Sequence, residues 1–413
     1  MKRLTKGAFM LATILLLIPG ASCLGAEIQI GGSISHSLSY LTQEAELSEN
    51  ALRYDLFFER QFRGGKIHIS FDGGYDSVDT EALRPIQLDE AYGDIYLGSV
   101  DLRVGQQVVS WGTADGINPT NYVNPKGLSF AAGEFKGTPV PCLQATYFGP
   151  MTSVTGVVVF DFVPQDVPEE MTEGIAQGLG LEELPEPTDP ENTLGNMEYA
   201  LQVERRLGNW DTKLSYFHGW EDYPALWIEM VPGIVPAFEA ESQYQRVNKV
   251  GLATAGGFRG IGLWGEVAYN SPEEIEEMDT ATVLLSMNGP YLQGVVGADY
   301  SFSDFYVEGQ YIYYENGSLM SPYAQREPGI DITPGKYVMV QISYEVNRDQ
   351  SVRLVGMMNL DDSGYTIMPQ YTYALSDAAD LLVRAAFFSG EEGTEFGSLK
   401  SLESVDLSIK VSF

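Results

Sequence analysis

The ten residues from Ser404 to Phe413 read Ser-Val-Asp-Leu-Ser-Ile-Lys-Val-Ser-Phe, apolar at every odd position and polar at every even one. Period two is the repeat of a β-strand with one apolar and one polar face. The pattern recurs along the chain. Ile67, Ile69 and Phe71 alternate with Lys66, His68, Ser70 and Asp72, and Val338, Val340, Ile342, Tyr344 and Val346 with Met339, Gln341, Ser343 and Glu345. Beyond the N-terminal segment, no run approaches the ~20 consecutive apolar residues of a membrane helix. A chain of 413 residues with 44 Gly, 24 Tyr and 19 Phe but only 2 Cys suits a transmembrane barrel. There, only alternate residues need be apolar.

The alternation predicts strands at approximately 28–40, 51–62, 66–74, 86–98, 100–111, 139–149, 152–163, 196–207, 210–220, 244–256, 260–270, 290–302, 305–316, 335–347, 350–360, 364–375, 380–389 and 403–413. That is an all-β, antiparallel up-and-down barrel of about 18 strands, or about 16 if a short early hairpin is miscounted, on the even-numbered plan of such barrels. Connections alternate between tight turns, such as Gly98-Ser99 and Gly208-Asn209, and mostly longer loops, such as 112–138, 164–195 and 221–243. Tight periplasmic turns and long external loops are the rule for such barrels, and both termini then lie on the periplasmic side. A barrel of this size leaves an aqueous lumen.

The N-terminus indicates the compartment. Lys2, Arg3 and Lys6 precede an apolar core from Ala8 to Ile18, and small residues follow up to Ala26. This reads as a signal peptide over 1–26, leaving a barrel domain over 27–413 in the outer membrane. Lipidation at Cys23 is the alternative. With Cys23 removed, Cys142 has no disulfide partner and reads as a small apolar wall residue. The formal charge is −33, and losing the basic leader makes it more negative. That argues against nucleic acid or an anionic membrane surface as a partner.

Acid concentrates in the loops predicted to be external. Segment 164–195 is acidic from Asp166 to Glu191 with no Lys or Arg, and 271–289 carries Glu273, Glu274, Glu276, Glu277 and Asp279. Such loops give a solvated surface, a cation-enriching vestibule, or divalent-cation bridges to lipopolysaccharide. Two apolar stretches interrupt them, Ala225 to Phe238 and Ala281 to Met287. The first reads as a short helix or folded loop packed on the rim, or as a capture site for hydrophobic substrate.

The segment Leu88 to Pro125 has a pattern of its own. Glu90-Ala91-Tyr92 and Asp94 lead through a turn to Arg103-Val104-Gly105-Gln106-Gln107-Val108-Val109-Ser110-Trp111-Gly112, then to a loop with Asp115, Asn118-Pro119, Asn121, Tyr122 and Asn124-Pro125. It resembles a family of bacterial outer-membrane porin-like barrels of undefined substrate that share R-x-G-x-Q-x-x-x-W-G and an N-P-rich loop, and is distantly similar to alginate-export porins. The family often has Asp where this chain has Asn121. The terminal Phe413 likewise resembles the signal read by the barrel assembly machinery. On the period-two frame, Arg103, Gln107 and Trp111 share one face, and Arg103 on a lipid face would be costly, so this face is assigned to the lumen. Glu90, Tyr92 and Asp94 then line the neighbouring strand, with Arg103 paired to Glu90 or Asp94. The loop after Trp111 is long and nearly uncharged, which predicts that it folds into the lumen and sets its narrowest point. Arg53, Glu59, His68, Gln202, Glu204, Arg353 and Arg384 are further lumen candidates, and an Arg ladder facing acids would select small polar or zwitterionic solutes.

Only His36, His68 and His218 are available as imidazole bases, and no G-x-S-x-G, H-E-x-x-H or phosphate loop occurs. The sequence therefore predicts no enzyme, cofactor or metal site. It predicts a porin-like channel for passive diffusion of small polar solutes or ions, cation-preferring and acting alone or as a homo-oligomer. The alternatives are a transporter of hydrophobic compounds or a non-conducting structural or adhesive barrel.

Overall fold

The computed structural model describes residues 28–80, 82–114, 116–125, 137–165, 172, 176, 181–231, 237–273, 281–285, 289–315, 317–319 and 334–413. The leader 1–26, including Cys23, and Asp115 lie outside the described residues. Strands β1 (Ile28–Leu41), β2 (Glu46–Phe62), β3 (Gly65–Asp76), β4 (Gln87–Leu97), β5 (Val100–Gln107), β6 (Val140–Phe148) and β7 (Thr152–Val159) come first. Next are β8 (Glu198–Leu207), β9 (Trp210–Trp220), β10 (Ala225–Val231), β11 (Ala237–Gln243), β12 (Arg246–Phe258), β13 (Ile261–Pro272) and β14 (Ala281–Leu285). The last are β15 (Tyr291–Phe302), β16 (Phe305–Tyr314), β17 (Gly335–Asn347), β18 (Gln350–Asn359), β19 (Tyr365–Ser376), β20 (Ala379–Ser389) and β21 (Ser404–Ser412).

All but β10, β11 and β14 form one 18-stranded sheet, so the higher of the two strand counts holds. Each strand pairs antiparallel with its neighbours. The sheet closes because β1 pairs with β2 on one side and with β21 on the other, with Ser37 opposite both Ala51 and Ser408. Closure removes every sheet edge, which a strand sheet in lipid requires. The tight turns and both ends of the barrel sheet lie at one end, the longer loops at the other. Gly64, Gly98, Gly208 and Gly260 sit at these turns with positive φ, the conformation two-residue hairpins demand.

The alternation sorts the faces as the sequence predicts. Ile34, Leu52, Leu201, Leu252, Leu354 and Leu407 point outward and are exposed. Exposed aromatic residues cluster near the tight turns (Tyr147, Phe148, Phe258, Phe302, Phe305) and again towards the loops (Tyr40, Tyr75, Tyr199, Tyr269, Tyr365). Two aromatic girdles around an apolar band mark a barrel built for a bilayer. No helix among the described residues is long and apolar enough to cross one.

Three local differences from the sequence reading have physical causes. Strand β5 stops at Gln107 rather than 111, and β7 at Val159 rather than 163, because apolar residues continue past the point where the chain leaves the sheet. Strand β2 begins at Glu46, extending the first hairpin. The stretch from Ala225 to Val231 is neither a short helix nor an irregular loop. It is the central strand of a separate three-stranded sheet, flanked by β11 and β14.

Candidate permeation site

After β5, residues 108–114 and 116–125 turn into the lumen, and their asparagines shape the path. Asn124 Oδ1 accepts from Val109 N at 2.7 Å, and Asn124 Nδ2 donates to Thr138 O at 2.7 Å. Asn121 Oδ1 accepts from Trp111 N at 3.1 Å, and Asn118 Nδ2 donates to Trp111 O at 2.9 Å. Gly112 has φ +92, and a Cβ there would overlap the Asn118 side chain, so only glycine fits this close approach. Asn118 and Asn121 thus bond within the loop.

The loop docks on the wall formed by β6–β9, β12 and β13. Val109, Trp111, Tyr122 and Val123 pack on Val140, Cys142, Val157, Val159, Ala200, Phe217, Val247 and Ala268, all buried. Trp111 meets Tyr122 edge to face with centroids 6.2 Å apart. Polar contacts fix the position. Tyr122 OH donates to Ser215 Oγ at 2.6 Å, and Lys213 Nζ donates to Gly112 O at 2.7 Å. The main anchor is Glu266 on β13, only 4% exposed. Its Oε1 accepts from Thr113 N, from Thr113 Oγ1 at 3.1 Å and from Ala114 N at 2.7 Å. Its Oε2 accepts from Thr120 N at 3.1 Å and Thr120 Oγ1 at 2.8 Å. A carboxylate accepting several backbone and hydroxyl donors is held by charge-assisted bonds, stronger than neutral ones. Beyond this anchor, Ile117 enters a second buried cluster with Val295, Ile312, Tyr337, Met339, Met357, Ala386, Phe388 and Phe396. The loop therefore follows the inner wall from β5 to the far side of β13.

The neighbouring strands carry the charged candidates. Arg103 Nε and Nη2 grip Asp94 at 2.6 and 3.0 Å, and the guanidinium lies 4.0 Å from the Tyr92 ring centroid. Of the two acids expected for Arg103, Asp94 is the partner. Glu90 instead accepts from Val108 N at 2.8 Å and braces the start of the loop. Tyr92 stacks on His68 at 5.1 Å, and His68 on Phe57 at 6.1 Å. Lys66 pairs with Glu59 at 3.0 Å. Gln107 is fully buried, its Nε2 donating to Cys142 O at 3.3 Å. Trp111 lies beyond the end of β5, in the loop. Arg353 binds the neutral Gln341 Oε1 through Nε and Nη2 at 2.9 and 2.6 Å, and Arg384 Nε binds Asp406 Oδ2 at 3.0 Å. Arg353 and Arg384 lie on strands flanking β19, both opposite Gln370, away from the Arg103 group. Phe413 is exposed, and its backbone exchanges hydrogen bonds with Gly32 at the closing seam.

Glu266, Lys213, Ser215 and Ile117 escape the sequence reading. Glu266 could have been noticed, because alternation sets it inward with Trp264 and Ala268 while the Thr113–Thr120 segment is rich in donors.

No family model and no curated protein matches the chain. Among solved structures it is similar to OccAB1 of Acinetobacter baumannii, at 9% identity over 96% of this chain and 98% of that one, with a TM-score of 0.56. It is also similar to OccK9 of Pseudomonas aeruginosa (10% identity, 94% and 98% covered, TM-score 0.55) and to OccK2 of the same organism in complex with glucuronate (8%, 94% and 97%, 0.54). These neighbours are outer-membrane porins and channels. At such identities the likeness is one of fold alone.

Proposed function

We propose that the chain is a bacterial outer-membrane channel for passive diffusion of small polar solutes or ions. The observation that carries this reading is that residues 108–114 and 116–125 dock on the inner wall of a closed barrel. On this reading the leader exports the chain, the barrel assembly machinery reads Phe413, and the acidic loops face lipopolysaccharide and divalent cations. The site residues hold loops and solutes and perform no catalysis.

The proposal includes a preference for cations. Lumen cations Arg53, Lys66, Arg103, Lys249 and Arg384 each have a carboxylate partner. Glu266 and Glu90 are bonded to neutral donors, as Arg353 and Lys213 are to neutral acceptors, so these four offset one another. The negative field on this reading comes from the acidic loops at the mouth. Planar-bilayer recordings in a salt gradient test it: the reversal potential is expected to report cation selectivity at low salt, fading as the screening length falls to ~3 Å near 1 M. Anion selectivity would refute the preference. A purified, folded barrel that never conducts would refute the channel and favour a structural or adhesive role. Transport of hydrophobic compounds is the weaker reading, because Leu226 and Trp227 are buried.

A further inference from the structure

Two arcs of the lumen wall are covered by packed side chains. On β6–β9, β12 and β13 the wall is buried under Val109, Trp111, Tyr122 and Val123. On β15–β18 and β20 it is buried in the cluster that receives Ile117 and Phe396. Among the described residues, the arc of β21, β1, β2 and β3 joins neither cluster. On β1, Ser35, Ser37 and Ser39 face inward and are half-buried. They are flanked by Glu49 and Arg53 on β2, by Asp406 on β21, and beyond it by Arg384 on β20.

These flanking groups remain reachable from water. Side-chain exposure is 38% for Arg53 and 27% for Glu49, and 20% for Arg384 and 15% for Asp406, against 9% for each partner of the Lys249–Glu221 pair in the covered arc. Arg53 grips Glu49 with Nη1 and Nη2 at 2.8 and 2.7 Å, and Nη1 also donates to Ser37 Oγ at 2.6 Å. Arg384 uses only Nε on Asp406, so its terminal nitrogens keep their donors unspent among the described residues.

Building on the channel reading, we infer that solutes cross the constriction off-centre, along the β21–β3 arc, and that Arg53, Glu49, Arg384 and Asp406 select small zwitterions. Each side of the serine floor presents a cation beside a carboxylate. A solute carrying an ammonium and a carboxylate can exchange hydrogen bonds with such a pair, one charge to each partner. A simple ion of either sign meets one attractive and one repulsive group.

Cysteine modification tests the path. In a Cys142→Ser background, Ser37→Cys is recorded in planar bilayers before and after a cationic methanethiosulfonate, with Ala200→Cys on the covered arc as the control. Current is expected to fall by roughly half or more at Ser37→Cys and to stay unchanged at Ala200→Cys, as for a group placed in or out of a pore lining. A Ser37→Cys that resists modification, or is modified with current intact, overturns the path, as does block through Ala200→Cys. Liposome swelling tests the class. Arg384→Gln and Glu49→Gln are expected to lower the rate for glycine relative to a neutral sugar of similar size, and an unchanged ratio overturns zwitterion selection. A wild-type barrel without conductance would sink the channel reading itself, a result distinct from a conducting barrel that fails these tests.

Discussion

Replacing Glu266 with Gln is expected to free the docked loop while leaving the barrel intact. The carboxylate accepts bonds from Thr113 N, Thr113 Oγ1, Ala114 N, Thr120 N and Thr120 Oγ1. An amide keeps one acceptor oxygen and turns the other position into a donor. If the oxygen stays with Thr113 and Ala114, the Thr120 N–H faces an NH2 group and is left unsatisfied, at about 1–3 kcal/mol. The remaining bonds also drop from charge-assisted to neutral, losing on the order of 0.5–1 kcal/mol each. The loss totals roughly 3 kcal/mol against the docked state, about a hundredfold rise in the undocked population. Cys142 offers a native reporter, since it is fully buried in the cluster that the loop covers. Its alkylation by a maleimide is expected to accelerate by about that factor in Glu266→Gln, with larger and noisier single-channel current and unchanged heat-modifiable migration. Wild-type labelling and conductance in a correctly inserted variant would refute the idea that this carboxylate holds the loop.

Two further outcomes are expected. Arg103→Ala removes both hydrogen bonds to Asp94, whose side chain is 6% exposed, leaving Lys66 across the strand pair as its nearest cation, and should cost ~3 kcal/mol as a broken buried pair does, lowering the temperature of heat modification. The double variant with Asp94→Asn should recover much of the loss, and a single variant as stable as wild type would count against the pair. Deleting Phe413 removes both its hydrogen bonds with Gly32 and the terminal aromatic residue, and should reduce insertion into the outer membrane. Equal levels of membrane-inserted, heat-modifiable protein would contradict it.

The barrel is legible in the sequence because lipid and water demand different residues on the two faces, and β-geometry writes that difference as period two. The inward turn of the loop after Trp111 is legible too, from its lack of charge and its Asn-Pro pairs. Other features are not. Val108, Val109 and Trp111 look like more strand, because apolar residues packing under a loop resemble apolar residues in a wall. Strand β10 is apolar on successive residues and gives no periodic signal. Above all, alternation puts Glu266 in the lumen but carries no information about which loop arrives there. The same limit applies to Arg103, where strand register chooses Asp94 over Glu90.

The Glu266 anchor also sets an order on assembly. Its partners at Thr113 and Thr120 lie 153 and 146 residues away in the chain, with β6 to β9 and β12 between them in the barrel. Contacts so distant carry a loop-closure cost that is recovered only once the intervening strands have paired. The docked loop of this barrel is therefore expected to be among the last parts to settle. A half-built barrel has a wide, unlatched lumen, and damage to the latch leaves the steps before it untouched. Cells screening for insertion would pass such a variant, and only its altered permeability would reveal it.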